Sequence, residues 1–290
     1  MDYYNEKEKA LLKEILNSPT YKLAEDDKEF INTYEARGIR LELDYLKAEL
    51  IMKEYGIEHT IVTFGSARIL PKDVAQKRLE MLLEKNSSEE ELLKAAKALE
   101  MSRFYEDARK LGHLIGSSGK SPSDNRVMVM TGGGPGIMEA ANRGAYEAGA
   151  NSIGLNIKLP HEQHPNPYVT PGLCFLFHYF AIRKLHFFQR AKAMVVYPGG
   201  FGTMDELFEL LTLIQTKTMQ QIPVVIVGKE WWKKFLNFDF LIEEGTIAKE
   251  DLEIFHIVAN ATEAWRAIVS WHKEQGRPLF SASESDSLES

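Results

Sequence analysis

Two regimes of hydrophobic and polar positions divide the chain. Over residues 1–57 the spacing is helical. In "YEARGIRLELDYLKAELIMKEYG", Leu43, Leu46, Leu50 and Met52 fall near one face, with Lys and Glu between them. This predicts an N-terminal helical extension that packs on a core or on a second subunit. From residue 58 the pattern changes. The runs "HTIVTFGSAR" (59–68), "RVMVMTGGGPG" (126–136), "NSIGLNIKLP" (151–160), "AKAMVVYPGGFG" (191–202), "IPVVIVG" (222–228) and "FHIVAN" (255–260) read as strands. Helical runs lie between them, among them "RFYEDARKLGHLIGSS", "GIMEAANRGAYEAG", "HYFAIRKLHFFQRA" and "TMDELFELLTLIQTK".

Alternating β and α units predict an α/β fold over residues 58–275, a Rossmann-like parallel sheet with helices on both faces. The strands are apolar on both sides, as strands covered on two faces should be. Residues 72–101, polar and helical in pattern, read as an inserted helical hairpin broken at "NSS". The tail 276–290 ends in "SASESDSLES" and is predicted to be disordered.

Composition narrows the classes. The chain has 290 residues, 44% of them apolar, and a formal net charge of −7. No basic stripe is present, so nucleic-acid binding is not expected. The one cysteine, Cys174, excludes an internal disulfide and a multi-cysteine metal site. Within "GLCFLF" it reads as a small core residue. The N-terminal "MDYYNEKEKALLKEIL" has no apolar h-region and no run is long enough to span a bilayer, so the expected compartment is the cytosol.

Candidate chemistry lies at the strand ends, where ligands bind in such sheets. "YPGGFGTMDE" places Gly199, Gly200 and Gly202 where a helix must begin. Glycine lets the backbone approach a ligand, and a helix start offers unpaired N–H groups, so the stretch reads as a phosphate cradle. "TGGGPGIMEA", with Gly133, Gly134, Gly136 and Met138, repeats the device, and Gly65 and Ser66 of "FGSAR" make a poorer version. Neither glycine loop is a P-loop, and "GGGPGI" lacks the dinucleotide spacing. Glu206 has two readings: a capping-box partner of Thr203, or a carboxylate set beside the sugar of a bound nucleotide. Arg183 and Lys184 lie on the preceding aromatic-rich helical run. His161, Glu162 and His164 in "LPHEQHPNPY" read as a solvated loop rather than a metal site. Trp231 and Trp232 read as core or interface.

These motifs carry a family resemblance. "PGGFGTMDE" fits the P-G-G-x-G-T-x-x-E pattern of the LONELY GUY family of cytokinin riboside 5′-monophosphate phosphoribohydrolases, whose members were often labelled possible lysine decarboxylases. "TGGGPGIMEAANRGA" is similar to the family's other glycine loop, and Ile182–Lys184 to its Arg-Lys pair. The resemblance covers roughly residues 57–275, and the N-terminal helices resemble the longer bacterial subgroup. It implies hydrolysis of the N-glycosidic bond of a nucleoside 5′-monophosphate with Arg183 and Glu206 as the catalytic pair. It further implies nucleotide contacts from Lys184, Gly199, Gly200, Phe201, Gly202, Thr203, Met204, Asp205 and Thr212, with Glu162 a weaker candidate. It implies a homodimer or higher oligomer in which a neighbour completes the site, residues 1–57 and 72–101 being candidates for extra contacts. No metal or organic cofactor is required, and nothing specifies the pyridoxal-phosphate lysine a decarboxylase needs. "FAI" stands where many members carry Met-His-Glu, so the resemblance does not extend to base preference. The contrasting expectation is a non-catalytic carrier of a nucleotide or phosphorylated cofactor, as in the molybdenum-cofactor carrier proteins.

Overall fold

The computed structural model describes residues 3–119, 121, 124–159 and 164–279. His161, Glu162 and the tail from 280 onward lie outside them. The chain divides into two compact units, Met1–Lys47 and Ala48–Ser290. The first unit holds α1 (Glu6–Leu16), α2 (Lys28–Ile31) and the start of α3 (Arg37–Glu54), which runs on into the second. Asn5 caps α1 reciprocally with Glu8. The Arg40 guanidinium donates to the carbonyls of Ile31 and Thr33, fixing the turn after α2.

The second unit is a seven-stranded parallel sheet: β1 (His59–Phe64), β2 (Val127–Thr131), β3 (Ser152–Ile157), β4 (Cys174–Phe177), β5 (Ala191–Val196), β6 (Val224–Val227) and β7 (Phe255–Val258). Every pairing is parallel, in the order β4-β3-β2-β1-β5-β6-β7. The α/β, Rossmann-like reading is correct. One strand is additional to it. The four residues of β4, half of them exposed or partly so, form an edge strand too short to declare itself. Cys174 is therefore only partly buried, where a core position was expected.

The helices of this unit are α4 (Lys72–Glu84), α5 (Glu89–Met101), α6 (Arg103–Gly116), α7 (Ile137–Glu147), α8 (Phe180–Gln189), α9 (Phe201–Gln215), α10 (Lys229–Phe235), α11 (Phe238–Glu243) and α12 (Ala261–Glu274). Side chains alternate across each central strand, so both faces are apolar. Ile61, Val129, Val195 and Val225 join Leu111, Ala140 and Trp265 on one face. Val62, Met130, Val196 and Ile226 join Phe187, Leu207 and Leu210 on the other. Helices α6 and α7 meet backbone to backbone. A Cβ on Gly112 would strike the carbonyl of Ala141, and one on Gly144 that of Arg109. Helices α4 and α5 form the hairpin, its second arm capped by Ser88 with Glu91. No helix among the described residues is long and apolar enough to cross a membrane.

Candidate functional site

Strand order reverses at β1. Strands β2, β3 and β4 extend the sheet to one side, and β5, β6 and β7 to the other. Sheets of this kind open a crevice beyond the carboxyl ends of the strands at the reversal. A cavity of about 890 Å³ lies there, toward the top of the roughly 300–1,000 Å³ range of small-molecule sites. All three glycine loops reach it: Gly65 and Ser66 after β1, Gly132 with Met138 after β2, and Gly199, Gly200 and Gly202 after β5.

The β1 loop ties the other two together. Its Ser66 N–H donates to the Pro198 carbonyl at 3.0 Å, and the Ile137 N–H donates to the Ser66 carbonyl at 3.1 Å. Gly136 adopts φ +72°, and a Cβ there would run into the Ser66 carbonyl, so only glycine allows this approach. A buried polar chain holds the β2 loop from behind. The Asn166 amide donates to the Gly134 carbonyl and to Asn142 Oδ1, each at 3.0 Å. Thr131 Oγ1 donates to the same Asn142 oxygen at 2.7 Å and accepts from the Gly133 N–H at 2.9 Å. With their polar groups satisfied, these side chains make the loop rigid.

Helix α9 begins at Phe201 with Gly200 as N-cap and no capping side chain. The Phe201 and Gly202 amides at its start are therefore open to a ligand, while the Thr203 N–H donates to the Gly200 carbonyl at 3.0 Å. Thr203 and Glu206 stand inside the helix, past the cap, and the capping-box alternative does not form. Glu206 is 2% exposed. Its Oε1 lies 3.5 Å from Arg183 Nη2 on α8, while Glu206 Oε2 and Arg183 Nε find no hydrogen-bond partner in the protein. The guanidinium lies over two rings, 5.0 Å from the centre of Phe180 and 5.5 Å from that of Phe187, a setting that suits a weakly hydrated cation.

Burial dominates the electrostatics. It raises the Glu206 carboxyl to about 7 against the pull of Lys184 and Arg183, with Asp205 and Glu209 adding to the rise. Burial also lowers the Arg183 pKa, opposed by Glu206 and Asp205. Both partners are thus pushed toward neutrality, as desolvation of a close pair requires. Burial works against the Lys184 ammonium too, but its bonds to Asp205 (2.8 Å) and Glu209 (2.6 Å) hold its pKa above the usual lysine value.

The predicted contacts separate into two adjoining hollows. Arg183, Thr203 and Glu206 face the main cavity with the glycines. Lys184, Asp205 and Thr212 line a shallower hollow of about 510 Å³ instead, and Phe201 and Met204 border both. Gly133 and Gly134 serve the loop's own geometry. Sequence reasoning missed part of the wall. Lys94, Lys97, Ala98 and Met101 of α5 face the main cavity, as do Trp231 and Phe235 of α10. Asn142 and Asn166 were missed as well; the one available signal was a lone amide among alanines and glycine in "EAANRGA".

Residues 138–268 match the family described as "Possible lysine decarboxylase". The cytokinin riboside 5′-monophosphate phosphoribohydrolase LOG of Oryza sativa subsp. japonica is 29% identical over 140 residues, covering 47% of this chain and 56% of that protein. LOG7 of Arabidopsis thaliana, of the same description, is 26% identical over 176 residues, covering 54% of this chain and 79% of that protein. The chain thus spans about half the length of the rice relative. Among solved structures, TM1055 is 19% identical with a TM-score of 0.44, over 72% of this chain and 98% of that one. The molybdenum cofactor carrier protein of Chlamydomonas reinhardtii is 20% identical with a TM-score of 0.42, over 73% of this chain and 96% of that one. The family match and the curated relatives show the resemblance to the LONELY GUY family that the glycine motifs carry.

Proposed function

We propose, from the likeness to the LONELY GUY family, that this protein hydrolyses the N-glycosidic bond of a nucleoside 5′-monophosphate, of the AMP or cytokinin riboside monophosphate type, to free base and ribose 5-phosphate. One observation carries the reading: a buried Glu206–Arg183 pair with unpartnered polar atoms, lining the same cavity as the glycine-started helix. A structural ion pair would satisfy its own hydrogen bonds. This one is left to be completed by a ligand.

The chemistry follows from the placement. The amides of Gly200, Phe201 and Gly202 bind the 5′-phosphate, and that binding energy orients the sugar. Breaking the bond from C1′ to the base nitrogen builds positive charge on the ribose, which the buried Glu206 carboxylate stabilises. Water adds at C1′, its proton passes to Glu206, and the bonding pair leaves with the base nitrogen. A carboxyl near 7 suits a base working close to neutral pH. Arg183, its guanidinium set over the Phe180 and Phe187 rings, holds Glu206 in place.

The active unit we propose is a homodimer or larger homo-oligomer. Exposed Leu176, Phe180, Leu185, Phe201 and Phe208 give this unit apolar surface of the kind subunits cover. Base release by the purified protein from a panel of nucleoside 5′-monophosphates, followed by chromatography, tests the reading. Turnover of at least one member is expected. Tight binding with no turnover across the panel would replace the enzyme with a carrier.

A further inference from the structure

Cleavage of a glycosidic bond makes two charges. Glu206 answers the positive one on the ribose. The negative charge that travels with the base needs a partner as well, and Arg183 is committed to Glu206 at 3.5 Å. The other cations lining the cavity are Arg68, Lys94 and Lys97.

Lys94 and Lys97 come from the second arm of the inserted hairpin. With Ala98 and Met101 they follow the i, i+3, i+4, i+7 spacing of one helical face, and that face lines the cavity. Their partners in the protein, Glu90 at 2.5 Å from Lys94 and Glu100 at 2.7 Å from Lys97, are exposed to solvent. Such pairs contribute little and can yield the ammonium groups to a ligand. Ile69, Ala98 and Met101 with Trp231 and Phe235 make the neighbouring wall apolar, and the rings of Trp231 and Phe235 lie nearly parallel, 27° apart. A flat heteroaromatic group against that wall would share the cavity with the two lysines. Purine and pyrimidine edges carry ring nitrogens or carbonyl oxygens, the acceptors an ammonium group matches.

We infer that Lys94 and Lys97 of the inserted hairpin are catalytic residues that take up the charge of the departing base, an inference that rests on the nucleosidase reading above. As the C1′–N bond breaks, its electron pair moves onto the base. An ammonium group hydrogen-bonded at the base edge stabilises that charge and gives up one proton to it. The base leaves neutral, the attacking water has delivered its other proton to Glu206, and solvent restores the lysine.

The test compares two leaving groups on the full-length protein. Adenosine 5′-monophosphate needs help at its base. The 4-nitrophenyl β-ribofuranoside 5-phosphate does not, because nitrophenolate departs as a stable anion. In Lys94→Ala/Lys97→Ala, kcat on the nucleotide should fall by about 100-fold or more, the range of general acid catalysis. On the nitrophenyl substrate the loss in kcat should be under about tenfold, since its leaving anion needs no proton. Equal losses on both substrates, or none on either, overturn the inference and leave the nucleosidase reading standing. A wild type that hydrolyses neither overturns that reading itself, and the inference with it. Both lysines are solvent-exposed, so an unchanged melting temperature confirms that the variant is folded.

Discussion

The Arg183 guanidinium approaches the Glu206 carboxylate to 3.5 Å, yet each side chain keeps one buried polar atom without a partner. The contact is close enough to orient the carboxylate and too long to be a full charge-assisted hydrogen bond. Burial therefore prevails, and Glu206 binds its proton more tightly than a free glutamate does. Evolution for stability alone would have closed this pair or replaced it with apolar side chains.

The pair makes stability fall with pH. Glu206 titrates at about 7 in the fold against an ordinary 4.5. Below the lower value it is protonated in both states and costs nothing. Between 4.5 and about 7 the unfolded chain has released the proton that the folded state still holds, so stability falls with pH across this window and levels off above it. The total loss is on the order of 3 kcal/mol. In Glu206→Gln this loss should be absent, apart from a pH-independent offset for the orphaned guanidinium. Denaturant unfolding of both proteins from about pH 5 to about pH 8 reads the difference in slope, and parallel curves would contradict it.

Activity should move the opposite way. The proposed chemistry uses ionised Glu206, so kcat/KM should rise with pH along a limb centred near 7, the value that burial sets for the free protein. A kcat/KM that falls across this range would assign Glu206 the role of an acid instead.

Lys184 tunes that limb without lining the main cavity. Its ammonium lowers the Glu206 pKa more than any other charge does while it bridges Asp205 and Glu209. Lys184→Met should shift the kcat/KM limb to higher pH and leave its plateau within about tenfold of the wild type. A lost plateau with an unmoved limb would instead make Lys184 a direct substrate contact.

Gly136→Ala should disable the site through its backbone. At φ +72° with the Ser66 carbonyl in the way, an added methyl strains the turn and pushes the β1 loop from the Pro198 carbonyl it is tied to. A stability loss of about 1–3 kcal/mol together with weaker nucleotide binding is expected. Calorimetric unfolding and titration with AMP would show both.

The fold was legible because its central strands are apolar on both faces and end in glycine. The motif carrying Glu206 was legible because few other reasons place three glycines at a helix start. Strand β4 was not, since its four residues, Cys174–Phe177, are all apolar, and the alternation of buried and more exposed positions along the folded strand leaves no trace in the sequence. Helix rotation explains why the predicted contacts divided. Each residue turns about 100° from the last, so Glu206 faces the cavity while neighbouring Asp205 meets Lys184 on the other side. Lys94 and Lys97 look like any solvated face until the hairpin is folded against the crevice, and buried Asn142 reads as polar surface until its partners are placed.

Base release from one nucleoside 5′-monophosphate by the wild type and by Glu206→Gln, measured side by side at about pH 8, where the carboxyl is ionised, tests the central claim most directly. Turnover by the wild type is expected, with a loss of at least about 1,000-fold in a variant that melts cooperatively and still binds ribose 5-phosphate. Undiminished release by Glu206→Gln would contradict it.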